Sequence, residues 1–141
     1  MREKSIFDTG FLLAVFNEED SFHQQCKTAY DIESDYALLP DVVLPELAYL
    51  IKRELNLEAL ITFLRLAASG EYELVRTTES DLERAAEILE KYSDNNIDLV
   101  DACIVAIAER LEIEKILTVD RRHFSVFTPN HCENFTLLPS L

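Results

Sequence analysis

Between Leu99 and Leu111 the chain is apolar on nearly every side of a helix: Leu99, Val100, Ala102, Cys103, Ile104, Val105, Ala106, Ile107 and Ala108 leave almost no polar face. A helix of that kind cannot lie on a surface and has to be packed inside the protein. Two carboxylates, Asp98 and Asp101, open it three residues apart, on one face. Any fold open to this chain must enclose the helix and still accommodate the charge at its start.

The rest of the pattern alternates short β-rich runs with longer helical ones, which predicts an α/β fold with a mostly parallel sheet. Strands are expected at Ser5–Phe7, Tyr36–Leu39, Glu73–Arg76, Lys115–Val119 and Phe135–Leu138. Helices are expected at Gly10–Phe16 and Ser21–Glu33, and behind Pro45, which suits a first helical turn. Asn56 can cap a further helix with Leu57, Leu60, Ile61, Leu64 and Ala68 as its apolar face and Gly70 just past its end. Thr78 with Asp81 resembles a capping box for a helix that buries Leu82, Ala85, Ala86 and Leu89. No linker, repeat or composition shift divides residues 1–141, so one domain with an ordinary core is expected.

Composition excludes several classes. No apolar run approaches the roughly 20 residues of a membrane span, and the charged start Arg2-Glu3-Lys4 does not read as a signal peptide. A soluble cytoplasmic protein is expected. Cys26, Cys103 and Cys132 are odd in number and form no CxxC pair; Cys26 and Cys103 fall at apolar helical positions and read as buried small hydrophobes. His23, His123 and His131 show no zinc spacing, so no His or Cys is expected to bind metal. The net charge of −14 argues against sequence-independent binding to nucleic acid, which draws on Lys and Arg. It fits a basic partner, a carboxylate site that needs cations, or both.

Most acids, among them Glu18, Glu19, Glu54, Glu58, Glu83, Glu87 and Glu90, sit on polar faces. Five do not. Asp8 and Asp120 each follow a hydrophobic strand, where ligand sites of open α/β sheets lie. Glu46 stands in a first helical turn among Leu44, Leu47 and Leu50. Asp98 and Asp101 open the buried helix, where Asp98 also reads as an N-cap and Asp101 as an acid that favours the helix dipole. Clustered carboxylates repel, and a hard divalent cation such as Mg²⁺ or Mn²⁺ removes the penalty. The chemistry this suggests is hydrolytic phosphoryl transfer. A receiver domain would need an acidic pair after the first strand and a late lysine, and a dehalogenase-like phosphatase would need Asp-x-Asp there. Here Asp8 is followed by Thr9-Gly10 and Asp120 by arginines.

Ile6-Phe7-Asp8-Thr9-Gly10 resembles the opening motif of PIN domains, and Asn17 to His23 the segment that follows it in bacterial VapC toxins. Val43 through Glu46 to Leu50 resembles the glutamate segment, Asp98 to Arg110 the signature helix, Leu117 to Phe124 the closing motif, and Phe135 to Pro139 the C-terminal strand. The resemblance covers essentially the whole chain. It implies a three-layer α/β/α sandwich around a parallel sheet of four or five strands and a Mg²⁺- or Mn²⁺-dependent ribonuclease. Asp8 and Asp101 would be metal ligands assisted by Glu46 and Asp120, with Asp98 behind them or an occasional ligand, and Thr9 would hold a carboxylate or water. Arg121 and Arg122 read either as phosphate-positioning residues or as a turn bound to local acids; Lys52, Arg53 and His123 are the other basic residues nearby. The resemblance further implies an RNA substrate and a cognate antitoxin that covers apolar surface near Tyr49 and Leu64. A homodimer is also expected, and the alternative is a PIN-fold binding module without activity. Cys132 stands where the family pattern has glycine, and the chain is more acidic than a nuclease of this kind is expected to be.

Overall fold

In the computed structural model, which describes residues 2–141, the elements run β1 (Ser5–Phe7), α1 (Thr9–Phe16), α2 (His23–Glu33), β2 (Ala37–Pro40), α3 (Val43–Glu54), α4 (Leu57–Ala68) and β3 (Glu73–Val75). They continue as α5 (Glu79–Lys91), α6 (Leu99–Leu111), β4 (Lys115–Leu117), α7 (Arg121–Phe124) and β5 (Thr136–Leu138). The strands form one parallel sheet in the order β3-β2-β1-β4-β5, with Ser5 beside both Ala37 and Lys115. The α/β fold read from the sequence is the one observed. Its strand and helix boundaries shift by one or two residues, and the short α7 replaces a plain turn after Asp120.

Strand order explains the layers. The chain steps from β1 to β2 to β3 in one direction, then returns past β1 to β4 and β5. Parallel crossovers are right-handed, so helices of the outward and return paths cover opposite faces of the sheet. The contacts agree: α1 packs on α2 and α3, and α3 on α4, while α5 packs on α6. Successive residues of β1 are all buried, as a strand covered on both faces requires. The reversal between β1 and β4 leaves a crevice at their carboxyl ends.

Helix α6 is buried from Asp101 through Ala108 as expected, but its first residue Leu99 is exposed and Val100 only partly covered, because they start the helix at the open edge. Thr78 and Asp81 make the expected capping box, and Asn56 caps α4 by accepting from the Ala59 N–H. Arg110 donates to Asp81 and Arg84 to Glu109, tying α6 to α5. Gly70 follows α4 with φ 90°, a conformation that favours glycine.

Two expected faces are corrected. In α5, Ala85 and Ile88 are buried, whereas Leu82 and Ala86 face outward. In α4 the buried side chain is Phe63, packed on Phe16 and Tyr72, while Leu57, Ile61 and Leu64 are exposed. Helix α4 lies outside α3 and has little sheet to cover, so a single aromatic anchors it. Tyr49 on α3 is exposed as well, at 63%. Among the described residues, none of the helices is long and apolar enough to cross a membrane.

Candidate active site

Asp8, Glu46, Asp98, Asp101 and Asp120 all line one cleft of about 340 Å³, together with Thr9, Gly10, Leu50, Val119 and His123. It is neither the largest nor the most apolar cavity; the one of about 510 Å³ between α2 and Leu138–Ser140 lacks this chemistry.

Each carboxylate is placed by its backbone. Asp8 directly follows β1, and its N–H extends the sheet by donating to the Leu117 carbonyl at 2.9 Å. Thr118, wholly buried, donates its hydroxyl to Asp8 Oδ2 at 2.7 Å and accepts from the Asp120 N–H at 2.9 Å. One hydroxyl thus ties the Asp8 carboxylate to the backbone of Asp120. Asp98 caps α6, accepting from the Asp101 N–H at 2.9 Å, which fixes the first turn that carries Asp101. Asp120 caps α7 through Oδ1, which accepts from the His123 N–H. Glu46 enters from the first turn of α3. Gly10 lets α1 approach closely: a Cβ there would stand 3.0 Å from Val119 Cγ2.

The sequence reading passed over Thr118 and kept His123 out of the acidic set. Thr118 carries no signal beyond its place at a strand end. The fold brings His123 Nδ1 to 2.9 Å from Asp120 Oδ2 and 3.2 Å from Asp101 Oδ2. These contacts are close but misaligned, and the buried Nδ1 makes no hydrogen bond. Ligand atoms of Asp101, Asp120 and His123 lie within 4.8 Å of one another, and Asp8 and Glu46 border this tighter group. The arginines are absent from the cleft lining: Arg121 donates to the Leu137 and Pro139 carbonyls, at 3.5 and 2.9 Å, and Arg122 is exposed.

Electrostatics set the cleft apart from the surface acids. Burial pushes the Asp8 carboxyl up to about 6 against the pull of Thr118 and the Thr9 N–H, with Asp120 and Glu46 adding repulsion. Burial, then Asp98, Asp8 and Asp120, raise Asp101 well above the usual carboxylate range. Among the described residues, no Lys or Arg lines the cleft. The donors are hard oxygens plus one imidazole nitrogen, and the buried Thr9 hydroxyl has no partner among the described residues. This arrangement fits a divalent cation.

The fold matches solved structures. VapC20 of Mycobacterium tuberculosis, a toxin that cleaves the sarcin–ricin loop, aligns with a TM-score of 0.75 at 22% identity, covering 80% of this chain and 87% of that one. DNA-bound VapBC from Salmonella typhimurium aligns with a TM-score of 0.69 at 12% identity, covering 96% and 97%. At such identities the likeness concerns the fold alone. The PIN domain profile matches residues 5–127. Ribonuclease VapC26 of Mycobacterium tuberculosis is 36% identical over 134 residues, covering 95% of this chain and 99% of that protein. The chain belongs to the PIN domain family, among its VapC-type ribonucleases.

Proposed function

We propose that the protein is a Mg²⁺- or Mn²⁺-dependent endoribonuclease and the toxin of a toxin–antitoxin pair. The observation that carries this reading is the uncompensated cleft: five carboxylates, two of them raised, with no Lys or Arg to balance them. Asp8, Asp101, Glu46 and Asp120 would hold the ion, with Asp98 serving α6 as its cap and Thr9 offering a hydroxyl to a carboxylate or water. When bound, a divalent ion lowers the pKa of water and shields the phosphodiester.

The chain's own groups do the rest. Thr118 and the caps at Asp98 and Asp120 preset the carboxylates, so little reorganisation accompanies charge development. A carboxylate of this set takes a proton from the attacking water. The water oxygen bonds to phosphorus, the bond from phosphorus to the 3′-oxygen breaks, the departing 3′-oxygen takes a proton from solvent water, and the products carry 5′-phosphate and 3′-hydroxyl ends. Arg122, exposed on α7, is suited to a phosphate, whereas Arg121 is engaged by the C-terminal segment.

The antitoxin part of the reading is supported by the 36% identity to a VapC ribonuclease and by the exposed apolar residues Tyr49 on α3 and Leu57, Ile61 and Leu64 on α4. A basic partner side chain would answer the acidic cleft. The full acidic set argues against an inactive binding module. The test is cleavage of structured RNA by purified protein with Mg²⁺ or Mn²⁺. Activity should vanish with EDTA and in Asp101→Asn. Cleavage that survives EDTA, or that leaves 2′,3′-cyclic phosphate, refutes the mechanism.

A further inference from the structure

We propose that His123 is itself a ligand of the ion in this cleft, through Nδ1, and that this nitrogen makes the site prefer Mn²⁺ over Mg²⁺. The inference rests on the metal-dependent reading above and goes beyond its all-oxygen ligand set.

Three features of the geometry support it. Nδ1 stands 2.9 and 3.2 Å from single oxygens of Asp120 and Asp101, and the three donors lie within 4.8 Å of one another. Donors each ~2.2 Å from one ion lie at most about 4.4 Å apart, so the span is close to that of a shared cation. Nδ1 is buried without a hydrogen-bond partner among the described residues, so the fold brings a polar nitrogen beside two carboxylates and leaves its lone pair or proton unused. A purely structural histidine would be expected to complete one aligned bond there. Independently, the Thr9 hydroxyl, on a residue only 3% exposed, lines the same cleft without a partner.

His123 is held where it is by local structure. Asp120 caps α7 by accepting from the His123 backbone N–H, so one aspartate sets the turn with Oδ1 and faces the imidazole with Oδ2. Asp101 comes from a distant helix whose own start is fixed by Asp98. The result is two carboxylates and one imidazole from two rigid helix starts. Mg²⁺ favours oxygen and keeps its waters, whereas an imidazole donor adds affinity for first-row transition ions. An all-carboxylate cleft would lack this nitrogen contribution.

The alternative is that His123 only packs against the two carboxylates and a bound metal displaces it. The two roles predict opposite signs. Metal-stripped protein is titrated with MnCl₂ and followed by electron paramagnetic resonance, with Mg²⁺ as competitor. Spin-echo modulation on the bound Mn²⁺ reports a directly coordinated ¹⁴N, and ¹⁵N-histidine labelling assigns it. We expect ¹⁴N modulation in the wild type and its loss in His123→Ala, with Mn²⁺ affinity lower by ~10-fold or more and Mg²⁺ affinity changed by less than roughly threefold. The alanine keeps the backbone N–H that Asp120 caps, and a thermal melt checks its fold. Bound Mn²⁺ without nitrogen modulation, or Mn²⁺ affinity that is unchanged or higher in His123→Ala, overturns the ligand role and leaves the nuclease reading standing. Failure of wild-type protein to bind Mn²⁺ at all overturns both.

Discussion

Asp8→Asn should make the metal-free protein more stable while abolishing cleavage. In the fold, burial and the neighbouring acids lift the Asp8 carboxyl from its ordinary value of 3.8 to about 6. A carboxylate with a raised folded value is destabilising when ionised: there is no penalty at low pH, it grows above the unfolded value near 4, and it is complete above about 6. The shift corresponds to roughly 3 kcal/mol at pH 8. Asparagine removes the charge and keeps an oxygen that can accept from Thr118, although its amide N–H groups must find partners, so roughly 1–3 kcal/mol should be gained. For a chain of this size that is a rise in melting temperature of roughly 4–10 °C in EDTA at pH 8. At pH 4 the gap should fall below ~1 kcal/mol. Saturating Mn²⁺ should reverse the order at pH 8, because binding to the folded wild type adds stability by mass action. Calorimetry at both pH values, with and without metal, measures all three. A variant that melts no higher than wild type at pH 8 in EDTA, or a gap that does not change with pH, would refute the account of Asp8 as a strained buried charge.

Thr118→Val removes the hydroxyl that joins Asp8 to the Asp120 N–H; it should cost roughly 1–3 kcal/mol and lower kcat with the substrate KM little changed, as steady-state kinetics and denaturant titration will show. Asp81→Ala breaks both the Arg110 pair and the α5 capping box and should destabilise by roughly 2–4 kcal/mol at pH 7. Burial opposes ionisation of Asp81, but hydrogen bonds from Arg110 and Thr78 outweigh it and hold the carboxyl below its ordinary value. Its contribution is therefore present above the unfolded value and lost as pH falls through the folded one, so the penalty of the alanine should shrink in acid; a penalty independent of pH would count against it. Leu64→Glu, at a position 48% exposed on α4, should leave melting and RNA cleavage unchanged and abolish co-purification with the product of the neighbouring reading frame. A retained complex would exclude this face as the docking surface.

Much of the fold was legible because its signals are local. A hydrophobic run that stops at Asp8 or Asp120 marks a strand end whatever surrounds it, and the caps at Asn56, Thr78 and Asp98 satisfy the backbone N–H groups of their own helices. An all-apolar stretch such as α6 leaves no choice of face, so its burial could be read directly. Hence the acidic residues of the cleft were nameable one by one from their positions.

Tertiary structure decided what local patterns leave degenerate. Helix α4 carries apolar residues on more than one face, and only its packing in the fold, with Phe63 against Phe16 and Tyr72, determined that Phe63 goes in while Leu57, Ile61 and Leu64 stay out. Arg121 has chemistry suited to phosphate in isolation, yet the C-terminal segment takes its guanidinium through the carbonyls of Leu137 and Pro139. His123 lacks any ligand spacing in the chain and meets Asp101 only where the fold sets α7, which follows β4, beside the start of α6. Residue type and period determine which groups must be buried or capped; which of them share a cleft depends on strand order, a long-range choice that no local period encodes.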